Sequence, residues 1–176
     1  MSAVVVNWPF KVVQGGRADK PPAASSTPST SSVKARAVSL LAQREYSRQE
    51  LTEKLAAEDV SPEELALTLA QLEAKGLVDD TRVVETLVNR RAGKLGGMRL
   101  RQELQAKGVS PDLVAETMAG LKDSELARAR TVWQKKFGQL ASSSAERHKQ
   151  ARFLASRGFS GEVVRQVVSG LVDDDL

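Results

Sequence analysis

Cysteine is absent from the 176 residues of this chain, which excludes disulfides, thiolate metal sites and cysteine nucleophiles and fits a reducing compartment. Aromatic residues make up only 4%, so the core has to be built from leucine, valine and alanine. The single histidine, His148, stands among charged residues, where a solvated side chain is expected rather than a catalytic base. No apolar run approaches the roughly 20 residues needed to span a bilayer. The opening MSAVVVNWPFKVV lacks the charged start and small-residue cleavage site of a signal peptide. GKLGGM is not a phosphate-binding loop, because it lacks the G-x-x-x-x-G-K-[ST] pattern and no buried strand precedes it. No histidine or carboxylate cluster has metal-ligand spacing. A soluble cytoplasmic chain is expected, with no cofactor, no metal, no membrane contact and no catalytic activity.

What is present is a period. Leu55, Leu104 and Leu154 lie 49 and 50 residues apart, and each opens a copy of one motif: LAAEDVSPEELALTLAQL, LQAKGVSPDLVAETMAGL and LASRGFSGEVVRQVVSGL. Six residues after each leucine comes a serine (Ser61, Ser110, Ser160), and an apolar helix pattern then runs to Leu72, Leu121 or Leu171. A fixed period with matched turn chemistry marks a repeat architecture, in which short units bury their apolar faces by stacking. The period predicts an all-α chain of three tandem three-helix repeats, helix-turn-helix-like, forming an elongated, curved rod. Residues 1–33 are read as a tail and linker, 34–78 as repeat 1, 79–121 as repeat 2 and 122–176 as repeat 3.

Within the tail, GGRADKPPAASSTPSTSS at Gly15–Ser32 has no periodicity and too little apolar surface to offset its ordering entropy, so a disordered linker is expected. Ahead of it, Val4–Phe10 is either a loose tail or a docking peptide acting through Trp8 and Phe10. The first helix is expected near Lys34–Arg44, with Val38 and Leu41 on its apolar face. Ser47 with Glu50, and Ser61 with Glu64, have the spacing of capping boxes. Pro62 and Pro111 fall at first helical positions, and Gly76, Gly108 and Gly158 where left-handed caps should end helices. Leu126, Ala129, Trp133 and Phe137 form a stripe at helical spacing, and Gly96–Gly97 is read as separating two helices and acting as a hinge.

Five segments carry a resemblance. They are QREYSRQELTEKL (Gln43–Leu55), LEAKGLVDDTRV (Leu72–Val83), GGMRLRQELQAKGVS (Gly96–Ser110), WQKKFG (Trp133–Gly138) and ARFLASRGFSGEVVRQVV (Ala151–Val168). In this order and spacing, from about Ala35 to Leu171, they resemble the RecX regulatory family, modulators of the RecA recombinase. The resemblance implies three tandem three-helix repeats and a protein without catalytic activity. It implies a protein that binds the RecA filament on DNA and mainly inhibits ATP turnover, strand exchange and repressor cleavage in recombination and the SOS response. A monomer is expected because no stretch of the sequence has a coiled-coil seam. Weak non-specific affinity for DNA is also expected. Family members often carry aromatics where this chain has Val83 and Leu87, so no aromatic anchor is carried over there.

Charge locates the candidate surface. Between Lys34 and Asp80 there are 10 acidic residues against 6 basic, and between Thr81 and Lys122 there are 8 basic against 4 acidic. The basic excess gathers at Arg90, Arg91, Lys94, Arg99, Arg101 and Lys107, which are read as the partner-binding group for the RecA filament or DNA. A second basic group comprises Lys135, Lys136, Arg147, Lys149, Arg152 and Arg157, of which Lys135, Lys136, Arg152 and Arg157 are read as further contacts to the same partner. The competing reading makes them solvated: Arg90 and Arg91 end a helix, where its dipole favours cations by roughly 0.3–1 kcal/mol. Their stems would then cover the Val83–Leu87 stripe. The alternative function is a helix-turn-helix DNA-binding regulator. Against it, the helices that would enter the groove begin with Glu63, Glu64, Asp112 and Glu162, which repel phosphates and read no base edges.

Overall fold

A computed structural model of the chain describes residues 30–56 and 60–170, with side chains from Val33 onward. The expected linker up to Ser29, the Val4–Phe10 peptide and Leu171 lie outside the described residues. Nine α-helices and no strand are found among those described: α1 Thr30–Leu41, α2 Arg48–Ala56, α3 Pro62–Ala74, α4 Asp80–Arg91, α5 Gly97–Ala106, α6 Pro111–Leu121, α7 Glu125–Lys136, α8 Ser144–Ser156 and α9 Gly161–Ser169. They pack in threes, α1–α3, α4–α6 and α7–α9, and each triple closes around its own core. The repeating leucines sit at the centre of these cores: Leu55, Leu104 and Leu154 are each fully buried.

The turn before each third helix is built the same way three times. Ser61, Ser110 and Ser160 occupy the N-cap and their hydroxyls accept from the amides of Glu64, Leu113 and Val163. Pro62 and Pro111 then take the first helical position, where a missing N–H costs nothing. The Ser47–Glu50 capping box forms in full, each backbone amide bonding to the other's side chain at 3.1 Å. At Ser61 and Glu64 only the serine half forms.

Helix α1 departs from expectation. It begins at Thr30, inside the segment read as linker, and ends at Leu41 rather than Arg44. Val33 and Ala37, one turn apart, are buried, whereas Val38 is 43% exposed. The apolar face is therefore set by Val33 and Ala37 with Leu40 and Leu41 beside it, and Val38 falls off its edge.

Consecutive repeats meet through the ends of their second helices. The N-terminus of α2 abuts the C-terminus of α5, where the Ser47 hydroxyl donates to the Lys107 carbonyl and Lys107 Nζ lies 2.8 Å from Glu50 Oε1. The N-terminus of α5 abuts the C-terminus of α8 in the same sense. Gly96 N–H donates to the Arg157 carbonyl at 2.9 Å, and Met98 N–H to the Gly158 carbonyl at 3.0 Å. Helix ends leave amides and carbonyls without partners inside the helix, and here one helix satisfies the next. Gly96–Gly97 is therefore a point of close approach, not a hinge: a Cβ on Gly96 would lie 2.2 Å from Phe159 N. Gly158, at φ +83°, is equally constrained, since its Cβ would fall 2.5 Å from Arg99 N.

Two arginines staple successive repeats. Arg82, near the start of α4, donates to the carbonyls of Gly76 and Leu77 beyond α3 and lies 3.3 Å from Glu45. Arg128, near the start of α7, donates to the carbonyls of Leu121, Ala92 and Leu95. Partial burial lowers the Arg128 pKa from its ordinary value.

Two outcomes are expected. Gly76→Ala meets open space at φ +64° and should cost only the left-handed penalty, roughly 1–2 kcal/mol. Gly158→Ala should cost at least twice as much in urea denaturation, because α8 can no longer seat on α5. The second outcome concerns Glu50. Burial pulls its pKa upward, but hydrogen bonds from Arg44, Lys107 and the Ser47 amide outweigh that and hold it at about 2, below the usual 4.5. A depressed carboxylate stabilises fully above its unfolded pKa and loses that contribution as pH falls toward the folded value. The difference in denaturation midpoint between the parent and Glu50→Gln should therefore shrink steadily from pH 4.5 to pH 2.

Candidate functional site

Five of the basic side chains converge beside the first junction. Helix α4 ends with Arg90 and Arg91, Lys94 follows in the next turn, Lys107 caps α5, and Arg44 arrives from the turn before α2. Together with Glu45, Glu103 and the buried Val83 and Leu87 they line a cleft of about 520 Å³ between repeats 1 and 2. Arg90, Arg91 and Lys94 line the same cleft as Val83 and Leu87, the stripe their stems would cover in the solvated reading.

The cations in the cleft differ in what they already hold. Lys107 and Arg44 both bind Glu50, at 2.8 and 3.0 Å. Arg44 also stacks over the Tyr46 ring at 3.6 Å, and the Glu50 hydrogen bond raises its pKa. Arg91 lies 3.6 Å from Glu103, which Arg99 approaches at 3.9 Å. Arg90 and Lys94 are exposed and make no side-chain hydrogen bond or ion pair among the described residues. The cleft therefore presents two uncommitted charges on a framework of committed ones.

The other sequence-selected cations lie elsewhere. Arg101 points into a different groove, beside α6, and Arg99 lies on the exposed side of α5. In repeat 3, Lys135 and Lys136 end α7 and are exposed, and Lys135 lines a groove with Trp133, Leu140 and Val167. Arg147, Lys149 and Arg152 are exposed along α8. Arg157 is half-buried over the Phe153 ring at 4.4 Å, and its carbonyl belongs to the second junction. The second basic group is thus spread along a helix and across a junction rather than gathered in one cavity.

Sequence reasoning missed three arginines. Arg44 belongs to the cleft, and Arg82 and Arg128 are the staples that hold the repeats in place. A comparison of the repeats carries a signal for the staples, because each sits in the first turns of a repeat's opening helix, after an acidic start. The acidic first turns expected at Glu63, Glu64, Asp112 and Glu162 are found at the starts of α3, α6 and α9. Trp133 is half-buried and its Nε1 donates to the buried Gln150, so it serves the third core. His148 is exposed. Among the described residues no group of three or more His, Asp or Glu side chains could hold a metal, and no helix is long and apolar enough to cross a membrane.

Comparison with known proteins agrees with this architecture. Residues 79–118 match the family model for the second three-helix domain of RecX, and residues 123–168 that for the third. The regulatory protein RecX of Chromobacterium violaceum is 44% identical over 145 residues, covering 82% of this chain and 94% of that protein. That of Leptothrix cholodnii is 44% identical over 137 residues, covering 78% and 87%. Among solved structures, the crystal structure of RecX from Lactobacillus salivarius superposes with a TM-score of 0.70 at 18% identity, over 81% of this chain and 96% of that one, and shares the fold. Three-helix repeats in series, and identity sustained over most of both chains, lead to one conclusion: this chain belongs to the RecX family of regulatory proteins.

Proposed function

We propose that this chain acts as a monomer, without catalysis of its own, by binding the RecA filament on DNA. It mainly inhibits the filament's ATPase, strand-exchange and co-protease activities in recombination and the SOS response. The observation that carries this reading is the cleft between repeats 1 and 2, with Arg90 and Lys94 uncommitted at its rim. Membership of a family of regulators supplies the class of function, and the cleft supplies a contact that a regulator needs. Repeats arranged in series favour a partner that is itself a repeating polymer, because linked weak contacts reinforce one another through effective concentration. Acidic first turns on α3, α6 and α9 leave only weak, non-specific DNA affinity for those helices.

RecA on single-stranded DNA, followed by ATP hydrolysis, tests the proposal. The parent should slow turnover, and Arg90→Glu with Lys94→Glu should raise the half-inhibitory concentration by about tenfold. Helicity and melting temperature should hardly change, since exposed charges contribute about 0–1 kcal/mol. Inhibition by the parent should weaken as salt is added. A double variant as inhibitory as the parent at equal salt would remove the cleft from the contact, and a parent without effect on turnover would remove RecA.

A further inference from the structure

Repeats 1 and 2 are framed alike but closed differently. In repeat 1 the seam between α2 and α3 is shut by Arg48, whose Nη1 lies 2.6 and 2.5 Å from the two carboxylate oxygens of Glu73. The same two positions, 49 residues on, are Gly97 and Lys122, which cannot form that bond. The rest of the frame is kept. Arg48 N–H donates to Asp80 at 3.1 Å, and Gly97 N–H donates to Glu125 at 2.9 Å. With the clamp gone, the seam of repeat 2 opens into a groove of about 410 Å³ between α5 and α6.

The lining of this groove has a definite chemistry. Ala115, Met118, Ala119 and Lys122 fall at i, i+3, i+4 and i+7 along α6, one face of the helix, and Met98 and Arg101 stand one turn apart on α5. Met98 is 62% exposed, the most exposed large hydrophobic side chain among the described residues. Arg128 and Glu125, at the end of the groove, are engaged with backbone groups. Arg101 and Lys122 are exposed and have no side-chain partner among the described residues.

We propose that this groove docks an amphipathic helix of a protein partner, whose apolar stripe seats on Met98 and Met118 and whose flanking carboxylates pair with Arg101 and Lys122. Alanines on the floor let a helix backbone approach closely, and the methionine thioethers adapt to the apolar side chains they receive. The walls are fixed in advance by the second junction, so little ordering is lost on binding. Combined with the proposed function, and resting on it for this step alone, the helix belongs to a filament subunit.

The full chain, carrying ¹³C-methyl methionine, places two reporters, Met98 and Met118, in the groove. The probe is a synthetic helix with leucine at i, i+3, i+4 and i+7 and glutamate on both flanks. Both signals should shift on titration. Met98→Glu and Lys122→Glu should each weaken binding about tenfold, with Met98→Leu close to the parent. Added salt should weaken the peptide's binding to the parent and leave Lys122→Glu less sensitive. Methyl signals that ignore the peptide overturn the proposal. So do signals that move instead with a single-stranded oligonucleotide, which would make the groove a nucleic-acid site, or with dilution, which would make it a self-contact. RecA inhibition is measured separately on the same protein. A parent that binds the peptide but leaves RecA turnover unchanged overturns the proposed function and keeps the groove, and a parent that inhibits RecA without binding the peptide does the reverse.

Discussion

The end-on seating of the second helices is the constraint on which the rest of the structure depends. Each helix terminus carries backbone groups that its own turns cannot satisfy, and a chain of small repeats has many such ends. Here the amides that open α5 bond to the carbonyls that close α8, and Ser47, the cap of α2, bonds to the carbonyl that closes α5. The arrangement also aligns the positive end of one helix dipole with the negative end of the next. It requires contact closer than any side chain allows, which is why Gly96 and Gly158 face each other across the second junction. Each repeat keeps its own core, so the three follow in series instead of collapsing into one.

The two junctions reach the same geometry by different chemistry. The first is mainly a matter of side chains: Glu50 gathers Arg44, Lys107 and the Ser47 amide, and Glu45 meets Arg82. The second is mainly backbone, with Gly96 and Met98 on the carbonyls after α8 and Arg128 on the carbonyls after α4 and α6. Ionic contacts respond to pH and salt far more than neutral backbone bonds do, so the first junction is the more sensitive to solvent. The basic cleft opens at that junction. The same carboxylate that joins the repeats also consumes two of the cleft's cations, and Arg90 and Lys94 are left to face outward.

Structure thus divides a basic sequence into charges that build and charges that face solvent. Arg82 and Arg128 build, closing carbonyls at the ends of preceding helices, and a lysine could not bridge several carbonyls with one planar fork. Arg91, Arg99 and Lys107 hold carboxylates of their own chain. Arg90, Lys94, Arg101 and Lys122 hold none among the described residues, and they fall in two separate places, the cleft between repeats 1 and 2 and the groove of repeat 2. One repeat closes its seam with Arg48 and Glu73, and its neighbour, with Gly97 and Lys122, leaves the seam open. Duplicated frames differ in surface shape by such single pairs.

Periodicity, caps and turn glycines were legible in the sequence because they are local. The leucines at Leu55, Leu104 and Leu154, the serine caps and the first-turn prolines depend on neighbours within a few residues, and they define three three-helix units wherever those units lie. The start of α1 departs from the sequence expectation because Thr30, Ser31 and Ser32 have the composition of a linker, whereas the burial of Val33 and Ala37 in the first core anchors the helix. Gly96 read as a hinge because a glycine pair breaks helices locally, yet its role is set by Phe159, far along the chain. Net charge told where cations are dense, but which of them are free depends on pairings such as Lys107 with Glu50, 57 residues apart. The helices and their grouping follow from chain order, through interactions that span one or two turns. How repeats join, which seam stays open and which charges face solvent emerge only on folding, because those outcomes rest on contacts between residues that chain order does not bring together.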